Sequence, residues 1–238
     1  MRKNSSVSIV EKTVEQFGDD KKRLAGELKR LVKDGQEAGD LLMIGAAYHS
    51  LAELYNSQDD EKGVFSYALK AVTCLKDTNA YELLAKAYLF LGRVYNYQDN
   101  PQASMEMNET AYRLISRHRT QGEIRINALN SLASDYKALG DIQKAIRLMT
   151  KCLSLAETSP EADLTGRAMF MLNLAEYHRE NLEPEKTREI LLSMKPWIGK
   201  VGFQALVCVL PALRDYLISA GRYTAGRRFC GHRACTCT

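Results

Sequence analysis

Four potential metal ligands lie together near the C-terminus of the chain. Cys230, His232, Cys235 and Cys237 supply three thiols and an imidazole, which are ligand types that Zn²⁺ prefers. Their spacing matches no standard zinc motif, so we predict no bound metal. We interpret residues 222–238 as an irregular Arg/Cys-rich tail, or as non-native sequence from a truncated or frame-shifted reading. Zinc binding by this tail is the weaker alternative.

The remaining histidines do not form a catalytic pattern either. His49, His118 and His178 are far apart in the sequence, and no Ser/His/Asp arrangement or carboxylate pair accompanies them. We predict that the chain is not an enzyme and binds no cofactor. Any catalytic activity would belong to a missing C-terminal domain.

Composition and charge indicate a globular protein and argue against nucleic-acid binding and membrane spanning. The chain has 238 residues, of which 45% are hydrophobic and 26% are charged, as in ordinary globular proteins. Its net charge of +4 comes from four arginines after residue 221, so the body lacks the basic footprint of a nucleic-acid-binding protein. The apolar run 205–210 is much shorter than the ~20 residues of a membrane helix. We predict a cytoplasmic protein that binds neither nucleic acid nor membrane.

A repeated pattern must position any functional side chains. A Leu, a small residue and an aromatic residue recur in copies that begin at Leu51, Leu91, Leu132 and Leu174, and a fifth copy at Leu213 keeps the Leu and the aromatic residue. Successive copies are 39 to 42 residues apart. A period of this length predicts helix pairs, and one pair cannot bury its apolar face alone. The pairs are therefore expected to stack into a solenoid.

Each copy is followed by a turn and a second helix. The expected turn residues are Asp59, Asp99, Gly140, Leu182 and Gly221. Aspartates and Asn100 in these turns can accept hydrogen bonds from the free N–H groups of the second helix. Small residues are expected where two helices approach closely, namely at Ala52, Gly92, Ala133 and Ala175.

These residues resemble the tetratricopeptide repeat family. The family pattern of Leu-Gly/Ala, Tyr, Gly-Asp and Ala is best met by Leu132, Ala133, Tyr136, Gly140-Asp141, Ala145 and Cys152. The resemblance covers about residues 40–221 and implies an all-α, right-handed α-solenoid. The period is longer than the ~34 residues of the standard repeat, so the helices are predicted to be longer. The Trp that the family pattern has early in the first helix is absent.

The resemblance divides the chain into a helical cap, repeats and a tail. We predict an N-terminal helical cap over residues 1–39 and tetratricopeptide-like repeats over residues 40–221. The repeats are expected at about 40–78, 79–119, 120–160, 161–200 and, incomplete, 201–221. Residues 206, 209, 213 and 217 of the incomplete repeat are apolar, so we predict a homodimer through this end.

In the family, the first helices of the pairs line a concave groove. The resemblance implies that the following side chains face it: His49, Glu53, Asn56, Lys86, Arg93, Asn96, Tyr97, Asn127, Asn130, Ser134, Lys137, Asn173, Glu176 and Arg179. Asparagine amides can both donate to and accept from a peptide backbone, and the cations can hold carboxylates, including a peptide C-terminus. We interpret this surface as a site for an extended protein or peptide ligand. The alternative is that the polar side chains only keep the inner face compatible with water.

Two functional interpretations follow from the resemblance. The first is a non-enzymatic protein–protein or peptide-binding scaffold, in the role of a regulatory region of a bacterial signalling protein. Long-period repeats after a helical cap resemble the sensory regions that precede diguanylate cyclase domains, and also resemble peptide-pheromone receptors. The alternative is therefore a truncated fragment of a diguanylate cyclase. No GGDEF motif occurs in the 238 residues, so its catalytic domain would be missing.

Overall fold

The described part of the chain is helical throughout. The computed structural model describes residues 3–120, 122–159, 163–197 and 200. These residues form ten α-helices and one 3-10 helix, without a β-strand. The α-helices are α1 Lys3–Phe17, α2 Lys21–Ala38, α3 Leu41–Asn56, α4 Glu61–Leu75, α5 Tyr81–Tyr97, α6 Pro101–Arg117, α7 Glu123–Ala138, α8 Ile142–Thr158, α9 Leu164–Glu180 and α10 Pro184–Ser193, and the 3-10 helix is Lys195–Trp197. The predicted all-α class is confirmed.

The chain divides into two compact units between Leu139 and Gly140. In the first unit, consecutive helices pack against each other from α1 to α7. The alternate helices α1, α3, α5 and α7 also contact their neighbours in that series. This is the arrangement of stacked helix pairs, in which each first helix lies beside the first helix of the next pair.

The N-terminal region contains one further helix pair. A break after Phe17 separates α1 from α2, and the side chain of Asp20 caps α2 by accepting a hydrogen bond from the Arg23 N–H. Leu24, Leu28 and Val32 are buried, and they belong to one core cluster with α3. These apolar side chains of α2 therefore cover the first repeat, as expected for the predicted N-terminal cap.

The predicted turns have a common backbone conformation. Asp59, Asp99, Gly140 and Leu182 all have positive φ, at 55°, 56°, 86° and 58°. Glycine adopts this left-handed conformation without steric cost, whereas other residues adopt it only at a cost in free energy. Gly221 lies outside the described residues. The next residue caps the second helix in three of the four turns, at Asp60, Asn100 and Asp141.

Small residues lie where the sequence pattern places them. Ala52, Ala133 and Ala175 are buried. Gly92 is also buried, and a Cβ atom added to it would overlap the side-chain amide of Asn108 on α6. The close approach of α5 and α6 therefore depends on the missing side chain.

The second unit contains helices α8 to α10 and the 3-10 helix. Ala168, Ala175, Leu191 and Met194 form its core cluster. The predicted packing residue His178 is buried, and its Nδ1 atom lies 2.6 Å from Glu183 Oε2. The predicted fifth repeat, the apolar end assigned to a homodimer and the tail lie outside the described residues.

Candidate functional site

Three neighbouring helices carry most of the predicted groove residues. Helices α3, α5 and α7 are the first helices of successive pairs, and α5 contacts both of the others. We call the predicted groove residues on these helices the first-helix face; they are His49, Glu53, Asn56, Lys86, Arg93, Asn96, Tyr97, Asn127, Asn130, Ser134 and Lys137. The three remaining predicted residues, Asn173, Glu176 and Arg179, lie on α9 in the second unit.

Most of the first-helix face is accessible to solvent. Glu53, Asn96, Tyr97 and Asn127 are exposed, and the other members except one are partly exposed. His49 differs from the expectation because it is only 3% exposed. Its imidazole packs beside the Phe90 ring of α5, with 5.5 Å between the ring centroids.

Phe90 lies between two polar groups of the face. The guanidinium carbon of Arg93 is 5.0 Å from the Phe90 ring centroid, a distance at which a cation interacts favourably with an aromatic face. Phe90 itself is partly exposed. We call His49, Phe90 and Arg93 the open cluster. The sequence alone did not single out Phe90, although it stands where the other copies have Ser50, Ser131 and Asn173.

Charges from all three helices act on one another at this face. Burial, with a contribution from the Lys86 charge, lowers the pKa of His49 to about 3, so its imidazole is neutral at neutral pH. Burial raises the pKa of Glu53; Lys86 opposes that shift, and Glu123 of α7 adds to it. Burial also lowers the pKa of Arg93, and its Nη2 atom has no hydrogen-bond partner among the described residues.

A second polar cluster is buried between α6 and α7. Asp135 is 1% exposed. Its Oδ1 atom accepts a hydrogen bond of 2.6 Å from Ser104 Oγ, and its Oδ2 atom accepts one of 2.7 Å from Asn108 Nδ2. Burial raises the pKa of Asp135, while these two hydrogen bonds oppose the shift and the charge of Glu109 adds to it. We call Ser104, Asn108 and Asp135 the closed cluster.

The residues on α9 behave differently from those on the first-helix face. Arg179 Nε donates to Glu176 Oε2 at 2.9 Å, and Arg179 Nη2 contacts Glu176 Oε1 at 2.5 Å. The hydrogen bonds and charge of Glu176 raise the pKa of Arg179. This bidentate pair partly neutralises the cation that the sequence assigned to a ligand carboxylate.

Within the described ranges, the structure offers no other evident chemistry. No group of three or more His, Cys, Asp or Glu side chains there is arranged to hold a metal ion. None of the helices in the same ranges combines the length and apolar character needed to cross a bilayer.

Comparison with known proteins agrees with this architecture. The tetratricopeptide repeat family model TPR_10 matches residues 125–159. The chain is similar in structure to BtubC (BKLC) from P. vanneervenii, with a TM-score of 0.71 and 16% identity over 88% of this chain and 87% of that one. It therefore has the fold of tetratricopeptide-repeat proteins. No curated protein shows significant sequence similarity.

Two further similar structures contain a sensor or a bound factor. One is a Signal Transduction ATPase with Numerous Domains from Pyrococcus horikoshii with a tetratricopeptide repeat sensor; it has a TM-score of 0.73 and 12% identity, over 95% of this chain and 35% of that one. The other is Rap protein complexed with Competence and Sporulation Factor, with a TM-score of 0.69 and 12% identity over 95% of this chain and 74% of that one. At these identities the similarity establishes the fold alone.

Proposed function

We propose that this chain is a cytoplasmic, non-enzymatic scaffold whose first-helix face binds an extended segment of a protein or peptide ligand. One observation carries the proposal. Helix α5 contacts both α3 and α7, and ten of the eleven residues of the first-helix face are exposed or partly exposed. A polar surface that spans neighbouring helices offers hydrogen-bonding groups along the length of an extended ligand.

The polar composition of the face supports a peptide as its ligand. Asn56, Asn96, Asn127 and Asn130 carry amides that can pair with both the N–H and the C=O groups of a main chain. Arg93 Nη2 has no hydrogen-bond partner among the described residues. Because the face mixes donors, acceptors and both charge signs, we expect it to bind a polar, extended segment rather than an apolar helix.

A peptide selection on the full chain tests this proposal. Random decapeptides are selected on the wild-type protein, and the dissociation constants of the enriched peptides are measured with variants. Arg93→Ala and Asn130→Ala are expected to weaken binding about tenfold each, as truncation of a central contact does. Arg113→Ala is the matched control because Arg113 is exposed on the second helix α6. Equal effects of Arg93→Ala and Arg113→Ala would contradict the proposal.

We further propose that this scaffold acts as the regulatory region of a bacterial signalling protein. The tetratricopeptide repeat sensor named for the Pyrococcus horikoshii protein and the factor bound to Rap protein support this role by analogy of fold. Membership in a diguanylate cyclase is the alternative. The genomic reading frame downstream of residue 238 distinguishes the two, because an encoded cyclase domain would favour the alternative and a different effector domain would exclude it.

A further inference from the structure

Two polar atoms of the open cluster are buried without a hydrogen-bond partner. They are His49 Nε2 and Arg93 Nη2. Both residues lie against Phe90. The centroid of the His49 ring is 5.5 Å from the centroid of the Phe90 ring, and the guanidinium carbon of Arg93 is 5.0 Å from it. A buried polar atom without a partner costs free energy, and the great majority of such atoms in folded proteins are paired. Two of them beside one partly exposed ring therefore require an explanation.

The two atoms have opposite hydrogen-bonding character. Arg93 Nη2 can only donate. His49 is neutral, because burial lowers its pKa to about 3, and a neutral imidazole has one donor and one acceptor nitrogen. Its Nδ1 atom lies 3.6 Å from Glu53 Oε2, so a proton on Nδ1 faces the carboxylate. Nε2 is then the acceptor.

We propose that the open cluster receives one uncharged amide group of the ligand, with its N–H donated to His49 Nε2 and its C=O accepting from Arg93 Nη2. A carboxylate satisfies only Arg93, because it has no hydrogen to give to Nε2. An amide satisfies both atoms, and its flat face can lie against the Phe90 ring. This inference rests on the proposed function and specifies the chemistry of one position in the ligand.

Access to the two atoms depends on Phe90. Both atoms are covered in the free protein, whereas the Phe90 side chain is partly exposed. The proposal therefore includes a local movement of the Phe90 side chain, which packs against both His49 and Arg93. The amide can belong to the main chain of the ligand or to an Asn or Gln side chain, and both sources present the same donor and acceptor.

The tautomer of His49 provides a test that needs no ligand. Two-bond ¹H–¹⁵N correlation spectra of the full chain at pH 7 report which imidazole nitrogen carries the proton, and the His49→Gln variant assigns the signals. We expect the proton on Nδ1 and a bare Nε2. A proton on Nε2 would overturn the proposal, because the acceptor would be absent.

Binding of the selected peptides provides the second test. His49→Leu removes the acceptor and is expected to weaken binding about tenfold, whereas His49→Gln retains an acceptor oxygen and is expected to restore most of the affinity. The melting temperature of His49→Leu should equal or exceed that of the wild type, so that unfolding does not explain the loss. A loss of affinity that His49→Gln does not restore would contradict the proposal.

Changes in the peptide identify the source of the amide. Sensitivity to Asn→Asp or Gln→Glu at one position indicates a side-chain amide, and sensitivity to N-methylation of one peptide bond indicates the main chain. Either result supports the proposal. If Asn130→Ala weakens binding but His49→Leu does not, only this inference fails. If no peptide is enriched, or binding is insensitive to every first-helix substitution, the proposed function fails with it.

Discussion

The open and closed clusters show two different ways to bury polar groups in one helical unit. In the closed cluster, both carboxylate oxygens of Asp135 accept hydrogen bonds from α6. In the open cluster, His49 Nε2 and Arg93 Nη2 have no partner. The closed cluster is enclosed between helices, while the open cluster includes a partly exposed ring. We propose from this difference that the closed cluster fixes helix packing, whereas the open cluster receives a ligand.

Asn108 Oδ1 is an instructive exception within the closed cluster. This atom is also buried without a partner. It occupies the space that a side chain at position 92 would need, so the protein itself encloses it. An unpaired atom alone therefore does not mark a ligand site; accessibility through a neighbouring side chain is also required.

The largest expected effect comes from removing the centre of the closed cluster. Asp135→Ala leaves the buried Ser104 hydroxyl without its acceptor and leaves Asn108 Nδ2 with only the 3.3 Å hydrogen bond to Ser104 Oγ, and it should cost roughly 3 kcal/mol of unfolding free energy. Asp135→Asn keeps the shape and one acceptor, so its cost should be clearly smaller. Urea unfolding followed by circular dichroism measures both. Equal losses in the two variants would show that hydrogen bonding does not hold this interface.

Acidification should act on the open cluster. The pKa of His49 is about 3 in the folded chain and about 6.5 when unfolded, so the unfolded state binds the additional proton. Titration of His49 therefore costs the folded state little stability above pH 6.5, and it destabilises the folded state increasingly as the pH falls from 6.5 towards 3. Between pH 7 and pH 4 the free energy of unfolding of the wild type should fall by about 3 kcal/mol more than that of His49→Leu. Parallel pH profiles of the two proteins would contradict the burial of a neutral imidazole.

A methyl group at position 92 should disturb the contact between α5 and α6. Gly92→Ala places a Cβ atom on the Asn108 amide and should cost about 2 kcal/mol through overpacking. Gly26→Ala is the control, since nothing lies within 4 Å of a Cβ there, and it should stabilise α2 by up to about 1 kcal/mol. The double variant Gly92→Ala with Asn108→Ala should recover part of the loss of stability. If the losses of the two single variants simply add in the double variant, the overlap between position 92 and the Asn108 amide is not the cause.

The smallest expected effect lies outside both clusters. Leu182 is 87% exposed and has a φ of 58°, so Leu182→Gly removes an unfavourable left-handed conformation without removing a buried contact. We expect a gain of about 1 kcal/mol, measured by thermal unfolding. Gly140→Ala, at the corresponding turn with a φ of 86°, should lose stability. A loss of stability in Leu182→Gly, or a gain in Gly140→Ala, would contradict this account of the turns.

The sequence predicted the features that depend on local backbone geometry. Positions such as Asp59 and Leu182 follow from the repeat spacing, because the same turn must occur in each copy whichever residue occupies it. Ala52 and Gly92 follow in the same way from the close approach of two helices. These positions can be predicted from the alignment of the repeats alone, and the sequence pattern provides that alignment.

Features that join different repeats were not predictable from the pattern. His49 has the polar character of a groove residue, and its burial depends on Phe90 in the next pair. The Asp135 carboxylate finds its donors 27 and 31 residues earlier in the chain, a separation that no repeat consensus encodes. Which polar residue is exposed and which is buried is therefore decided by unique contacts between copies.

Ligand binding at the first-helix face is the central claim, and a single pair of variants tests it most directly. Peptides selected on the full chain are titrated against Arg93→Ala and Arg113→Ala, which each remove one arginine side chain, from the neighbouring helices α5 and α6 respectively. We predict a loss of affinity of about tenfold for Arg93→Ala and less than about twofold for Arg113→Ala. A larger loss for Arg113→Ala would place the ligand on the second helices and contradict the claim.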